Sequence, residues 1–167
     1  MNSFTGKPEL TDADPITNDG WWCDLNLGDL MAQYRIPSEY DDAVISDGLV
    51  LSMIEVNRQL EPIKTLLSAT YSDLEAYHTV NSEQTGGVEV VVKKYEEAVY
   101  CYAKAILLQQ FKTMNRKAEA ENIAKEAQET EHYWLNRSLQ AVLFFFKKFS
   151  IDASTLQSVN DVVVIAI

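Results

Sequence analysis

Two spacings in the chain are those of metal-binding chemistry. "EAYH" sets Glu75 three residues before His78, and "ETEH" sets Glu129 three residues before His132. On a helix, residues three apart share a face, so each pair can offer a carboxylate and an imidazole to one ion. Two Glu-x-x-His pairs, with a Glu from each of two other helices, hold the metals of ferritin-like di-iron bundles. Glu55 and Glu97 fall in the right chain order to complete the set. The alternative to weigh is therefore a di-iron helical-bundle enzyme. Its ligands must project inward from long helices, and here they are badly placed. Glu75 and His78 lie in an aperiodic stretch just before Gly86-Gly87, and Glu129 and His132 sit among Glu126 and Glu131 on a charged face. The expectation is exposed polar residues at chance spacing, with no metal, no cofactor and no catalytic residue. The chain also lacks a Gly-rich phosphate loop, a G-x-S-x-G turn and a cysteine pair at metal spacing.

Composition narrows the class. At 167 residues and 47% apolar, the chain suits one domain with a proper core. Net charge is −11 and uneven: residues 1–61 carry 12 acids against 3 bases. Such a chain is a poor wrapper of nucleic acid, which needs cations on phosphates. It suits a wall that DNA slides past, or an acidic scaffold that binds protein partners. Cys23 and Cys101 are too few for a disulfide framework, and Cys101 lies in an apolar helical run where a buried thiol is expected. The first 20 residues show no apolar leader, and the longest helical apolar run, "AVLFFF", is far too short to cross a membrane.

Periodicity predicts an all-α helical bundle of long helices with extended arms at both ends. Residues 1–23 read as an extended N-terminal arm, rich in Pro, Gly and Asp, that ends on Trp21 and Trp22. These two are candidate core residues or interface anchors. Residues 24–149 form the bundle. "GDLMAQYRIP" is a short helix stopped by Pro37, and Ser38 with Asp41 suggests a capping start for the next. Ile45, Leu49, Met53, Val56, Leu60, Ile63 and Leu67 then recur at helical spacing, with a kink or a new first turn expected at Pro62. From Tyr71 to Gly87 periodicity vanishes. A structureless excursion of that length is uncommon unless it serves a function. Its Asp73, Glu75 and Glu83 are opposed by no Lys or Arg within it.

Val88 to Met114 reads as one helix with two apolar stripes, the second through Tyr100, Ala103, Leu107, Phe111 and Met114. A helix apolar on more than one face must be covered on more than one side. After a break at "TMNRK", the last helix runs from about Ala118 to Lys148, charged at first and then greasy.

Residues 150–167 read as a C-terminal arm. A polar spacer leads to "VVVIAI", apolar on both faces of a strand. Burying Val162, Val163, Val164, Ile165 and Ile167 is worth on the order of 7–15 kcal/mol gross. Ordering the arm removes much of that. A bundle offers no sheet for this strand to join, so a partner is expected to cover it.

The middle of the chain carries a recognisable pattern. "DDAVISDGLVLSMIEVNRQL" ends in an Asn-x-x-Leu, "YEEAVYCYAKAILLQQF" combines aromatic, Glu and small residues at helical spacing, and "YWLNRSLQAV" follows. Over about Asp24 to Ile167 this resembles the tailed-phage head completion proteins of the L type, a branch of the head-to-tail connector adaptors. Glu97 departs from the pattern at a place where a basic residue is common. The resemblance implies a structural protein rather than an enzyme. It implies a homo-oligomeric ring, 12-fold, beneath the portal protein, joining the DNA-filled capsid to a tail-side neck protein (a stopper or terminator). It implies that Val162 to Ile167 dock on the portal. In such a ring, the length of the Tyr71–Gly87 stretch and the unopposed charge of Asp73, Glu75 and Glu83 make it the candidate to line the DNA channel or meet the next ring. DNA would pass without specific binding. The place implied is the virion neck, assembled in the host bacterial cytoplasm, with no membrane contact.

Overall fold

The computed structural model describes residues 15–36, 40–114 and 120–157, leaving aside the side chains of 111–130, 155 and 157. Among these residues the chain is helical, apart from one two-stranded hairpin. The elements are α1 (Leu27–Gln33), α2 (Asp42–Gln59), α3 (Glu61–Ser68), α4 (Leu74–Val80), β1 (Gln84–Thr85), β2 (Val88–Glu89), α5 (Val90–Met114), α6 (Ala120–Lys148) and α7 (Ser154–Gln157).

The long stripe of the sequence is the inner face of α2 and α3: all seven of its residues are buried. The two helices are separated only by Leu60, and Pro62 sits in the first turn of α3. There its missing N–H costs nothing, because first-turn donors have no intrahelical acceptor. The start of α2 differs from expectation. Asp41 is the cap, accepting from the Ala43 N–H at 2.9 Å, and Ser38 lies outside the described residues.

α5 is the central element and packs most extensively on α6 and α2. Small residues let both neighbours approach. Gly48 of α2 lies against Leu107, where an added Cβ would come within 3.1 Å of a methyl. On the α6 side, Ala98 and Ala105 are buried, and the Ser138 hydroxyl donates to the Ala98 carbonyl at 2.7 Å. The two apolar stripes of α5 therefore serve different neighbours, with Tyr100, Ala103 and Leu107 fully covered. Phe111 and Met114 lie outside the described side chains.

Described residues of both segments expected to be arms lie on the bundle. Ile16 and Leu25 pair through two backbone hydrogen bonds of 2.8 and 3.1 Å, folding residues 16–25 back on the bundle. A closed ring of hydrogen bonds fixes this segment. The Asn18 amide donates to the Tyr95 hydroxyl at 2.7 Å, Tyr95 donates to the Asn57 carbonyl oxygen at 2.6 Å, and the Asn57 amide donates to the Asn18 carbonyl oxygen at 2.8 Å. Polar side chains on three segments thus satisfy one another inside the bundle. At the other end, Ile151, Ala153 and Leu156 pack on the core, so the C-terminal segment stays on the bundle at least through α7.

Asn57→Ala is expected to destabilise the fold by about 2 kcal/mol, because it strands a buried phenol and a half-buried amide together. Tyr95→Phe removes the hub but leaves the two amides facing each other, and is expected to cost about half as much. Urea unfolding midpoints of the two variants check the order.

Candidate assembly surfaces

Trp21 and Trp22 are not surface anchors. They leave only 5% and 3% of their area exposed, and what covers them is their own chain. The Trp22 ring stacks on Tyr95 at 4.7 Å, nearly parallel, and meets Phe145 of α6 edge-on at 5.7 Å. Trp21 meets Trp22 edge-on at 4.5 Å. Both indole N–H groups are buried without an acceptor among the described residues, so packing and stacking hold them. Asp19 seats the pair: one carboxylate oxygen accepts from the Trp21 and Trp22 backbone N–H groups at 3.0 and 3.1 Å, and the other pairs with Lys64 at 2.8 Å. Partial burial alone would raise the Asp19 pKa, but Lys64 and the two N–H groups outweigh it and hold the carboxyl below its ordinary value. The interface alternative rested on the enrichment of tryptophan at binding hot spots. The feature that places them inside is Asn18-Asp19, whose partners are distant in sequence.

The stretch from Tyr71 to Gly87 is not structureless. Asp73 caps α4 by accepting from the Ala76 N–H at 2.7 Å. Leu74 and Tyr77 turn inward, and Tyr77 meets Tyr71 and Phe149 edge-on at 5.2 and 5.5 Å. Two inward residues are too few to register as a period, which is why the helix is invisible in the pattern. Gly86 and Gly87, at φ +63° and +80°, make the tight hairpin turn between β1 and β2. Both central positions need positive φ in such a turn, which favours glycine. Val88 and Glu89 thereby leave the helix predicted to begin at Val88; it begins at Val90.

The three acids of this stretch have separate situations. Asp73 is a cap. Glu83 pairs with Lys148 at the end of α6. Glu75 is exposed on α4. The hairpin tip itself, Gln84 to Gly87, is exposed and uncharged. The acidic lining read from the sequence is thus largely committed to internal partners.

The metal constellation is not assembled from its described members. Glu55 bonds Arg58 and Gln59, and Glu97 bonds Lys94 at 2.8 Å and Arg137 at 3.0 Å. Burial would raise the Glu97 pKa, but the two cations outweigh it and lower it. His132 is exposed on α6 and His78 half-buried on α4, while the Glu129 side chain lies outside the described residues. Among the described residues, no three His, Cys, Asp or Glu side chains gather closely enough to hold an ion. Burial pushes the thiol of Cys23 up to about 12 and that of Cys101 up to about 11, so both stay protonated at neutral pH.

Among the described residues, two apolar surfaces lie next to α2 and α5. α2 exposes Val44, Val50, Leu51 and Ile54 on the side away from α5. Between α5 and α6 runs a groove of about 260 Å³, with Tyr102 and Ile106 from α5, Leu135 and Leu139 from α6, and Gln59 from the end of α2. No helix among the described residues is long and apolar enough to cross a membrane. The docking residues Val162 to Ile167 lie outside the described residues.

The described residues thus form an all-α bundle in which Asp41 and Asp73 serve as helix caps, Asp19, Glu55, Glu83 and Glu97 are held in ion pairs, and apolar side chains remain exposed. Comparison with known proteins gives the class: residues 16–143 match the family "Phage head completion protein (GPL)", and the chain belongs to that family. It is similar to the "Probable head completion/stabilization protein" of Haemophilus phage HP1 (strain HP1c1), with 26% identity over 112 residues, 67% of this chain and 73% of that protein. No solved structure matches. The family match begins at Ile16, the residue that opens the pairing with Leu25. Membership gives the chain a structural role in the phage head.

Asp19→Asn is expected to lower stability at neutral pH by about 1–2 kcal/mol, since it weakens charge-assisted bonds at a partly exposed site. The native carboxyl titrates below its ordinary value of 3.8. Its contribution is therefore full above that value and is lost as pH falls through the native pKa. The gap between variant and wild type should close in acid and persist at neutral pH; urea titrations at several pH values measure it.

Proposed function

We propose that the chain is the head completion adaptor of a tailed phage, forming a 12-fold ring beneath the portal protein after DNA packaging. The ring joins the filled head to a tail-side neck protein and forms part of the DNA channel. It belongs to the virion neck and assembles in the bacterial host's cytoplasm. The observation that carries the reading is the family match over residues 16–143. The negative net charge supports it, since phosphates find few cations here to hold them. In this reading Val162, Val163, Val164, Ile165 and Ile167 dock on the portal. An apolar strand repeated around a ring gains through avidity what one copy loses to ordering. The Tyr71–Gly87 projection, with Glu75 and the hairpin tip outermost, faces the channel or the adjoining ring.

Deleting residues 162–167 should leave helical circular dichroism unchanged and abolish co-assembly with the portal. Retained co-assembly refutes the docking role. The projection is tested by Glu75→Lys with Gln84→Lys, which spares the Asp73 cap and the Glu83–Lys148 pair. Slowed DNA ejection places it at the channel and lost tail joining places it at the ring contact. Particles normal in both respects remove it from either role.

A further inference from the structure

We infer that the exposed ridge of α2 and the groove between α5 and α6 are the two halves of one contact, the ridge of one copy seating in the groove of the next. This rests on the ring-forming reading above and names the surfaces that make the ring.

Val44, Leu51 and Ile54 follow one another at helical spacing with Val50 beside them; Leu51 is 45% and Ile54 60% exposed. They stand opposite the buried face of Ile45, Leu49 and Val56. Four exposed apolar side chains on one helix make a patch rather than the scatter normal on a surface. The groove is their counterpart. α5 is covered by α2 on one side and α6 on another, and the flank between them leaves Tyr102 and Ile106 half-buried. Lengths agree: residues 44–54 rise ~15 Å along α2, and the groove spans ~11 Å of α5 and ~12 Å of α6. A row of helix side chains seating between two rows is the ordinary geometry of helix packing.

Polar edges agree as well. The ridge carries the exposed carboxylate of Asp47. The groove is edged by the N–H donors of His132 and Asn136, while Glu131, the carboxylate among its described lining residues, accepts from Gln109. The carboxylate on the ridge disfavours nucleic acid as its partner.

The ridge is convex and the groove concave, so neither is complementary to itself. Such a contact is head-to-tail, and repetition closes a ring or extends a filament.

Two full-length variants test this. Leu51→Glu with Ile54→Glu spoils the ridge at exposed positions. Asn136→Trp fills the groove from an exposed rim position, leaving the core alone. Circular dichroism confirms that both fold. Self-association, alone and on the portal ring, is read by native mass spectrometry and sedimentation. The ridge variant should associate about a hundredfold more weakly, because a buried unpaired charge is costly. The groove variant should be blocked by bulk. Mixed, the two should form a pair of one each and nothing larger, because each retains the half that the other lacks.

Rings from either variant alone, or a mixture that stays monomeric, overturn the contact. Portal-bound rings of both variants would do so while leaving the adaptor reading intact, and would assign the groove to another occupant such as the chain's own residues 158–167. A wild-type chain that neither self-associates nor binds the portal overturns both.

Discussion

The fold depends on the closed ring of hydrogen bonds among Asn18, Asn57 and Tyr95. Tyr95 is fully buried on the central helix, and its hydroxyl both accepts from Asn18 and donates to Asn57. A phenol placed there without partners would oppose folding, since a buried polar group left unpaired costs more than a made bond returns. With both asparagines present it does the opposite. It fixes the rotation of α5 against α2, and it pins the N-terminal segment over the same ring face that Trp22 covers. Trp22 in turn reaches Phe145 of α6. One tyrosine therefore connects, through two hydrogen bonds at its hydroxyl and one stacked indole on its face, α5 to α2, to the N-terminal segment and, by way of Trp22, to α6. Burial pushes its pKa well above the ordinary value, so it stays a neutral donor.

What was legible in the sequence follows from how locally each feature is encoded. The α2–α3 face was legible because seven residues repeat over several turns. The two-sided nature of α5 was legible because a second stripe through Tyr100 and Leu107 cannot be solvated. Asn57 stood in view within "NRQL", but its partners lie 39 and 38 residues away and obey no period. The same holds for Asp19 and Lys64, 45 apart, and for Glu83 and Lys148, 65 apart. Those distant pairings turned residues 16–23 of the expected arm into part of the bundle and gave Glu83 of the 71–87 stretch a structural duty. α4 escaped notice because two inward residues set no rhythm, whereas Gly86-Gly87 announced the turn but not the strands it joins.

Charge has an internal logic that net charge conceals. Asp19, Asp41 and Asp73 each accept backbone N–H groups that would otherwise lack partners. Glu97 bridges Lys94 on its own helix and Arg137 on α6. Arg137 also lies over the Trp134 ring at 5.7 Å, so one carboxylate orients a cation that packs as well as pairs. A basic residue at position 97 would repel both cations, so the surroundings of that site call for a carboxylate. The acids most free to shape an outer surface are those outside this set, Asp47 and Glu75 among them.

A central helix has four flanks to cover, and a chain of this size can cover them in more than one way. Here α2, α6 and the N-terminal segment with α1 take three, the last held where Tyr100 bonds Asn26 and Tyr34 packs on Tyr100. The fourth stays open along Tyr102 and Ile106. Closing it internally would require a further helix or larger side chains at positions 59, 135 and 139. Instead the chain spends apolar residues on the outside of α2, where they contribute nothing to its own core and favour aggregation unless covered. An uncovered flank and an unused ridge in one small bundle are costly separately. They become economical together, because each supplies what the other needs when a second copy is present.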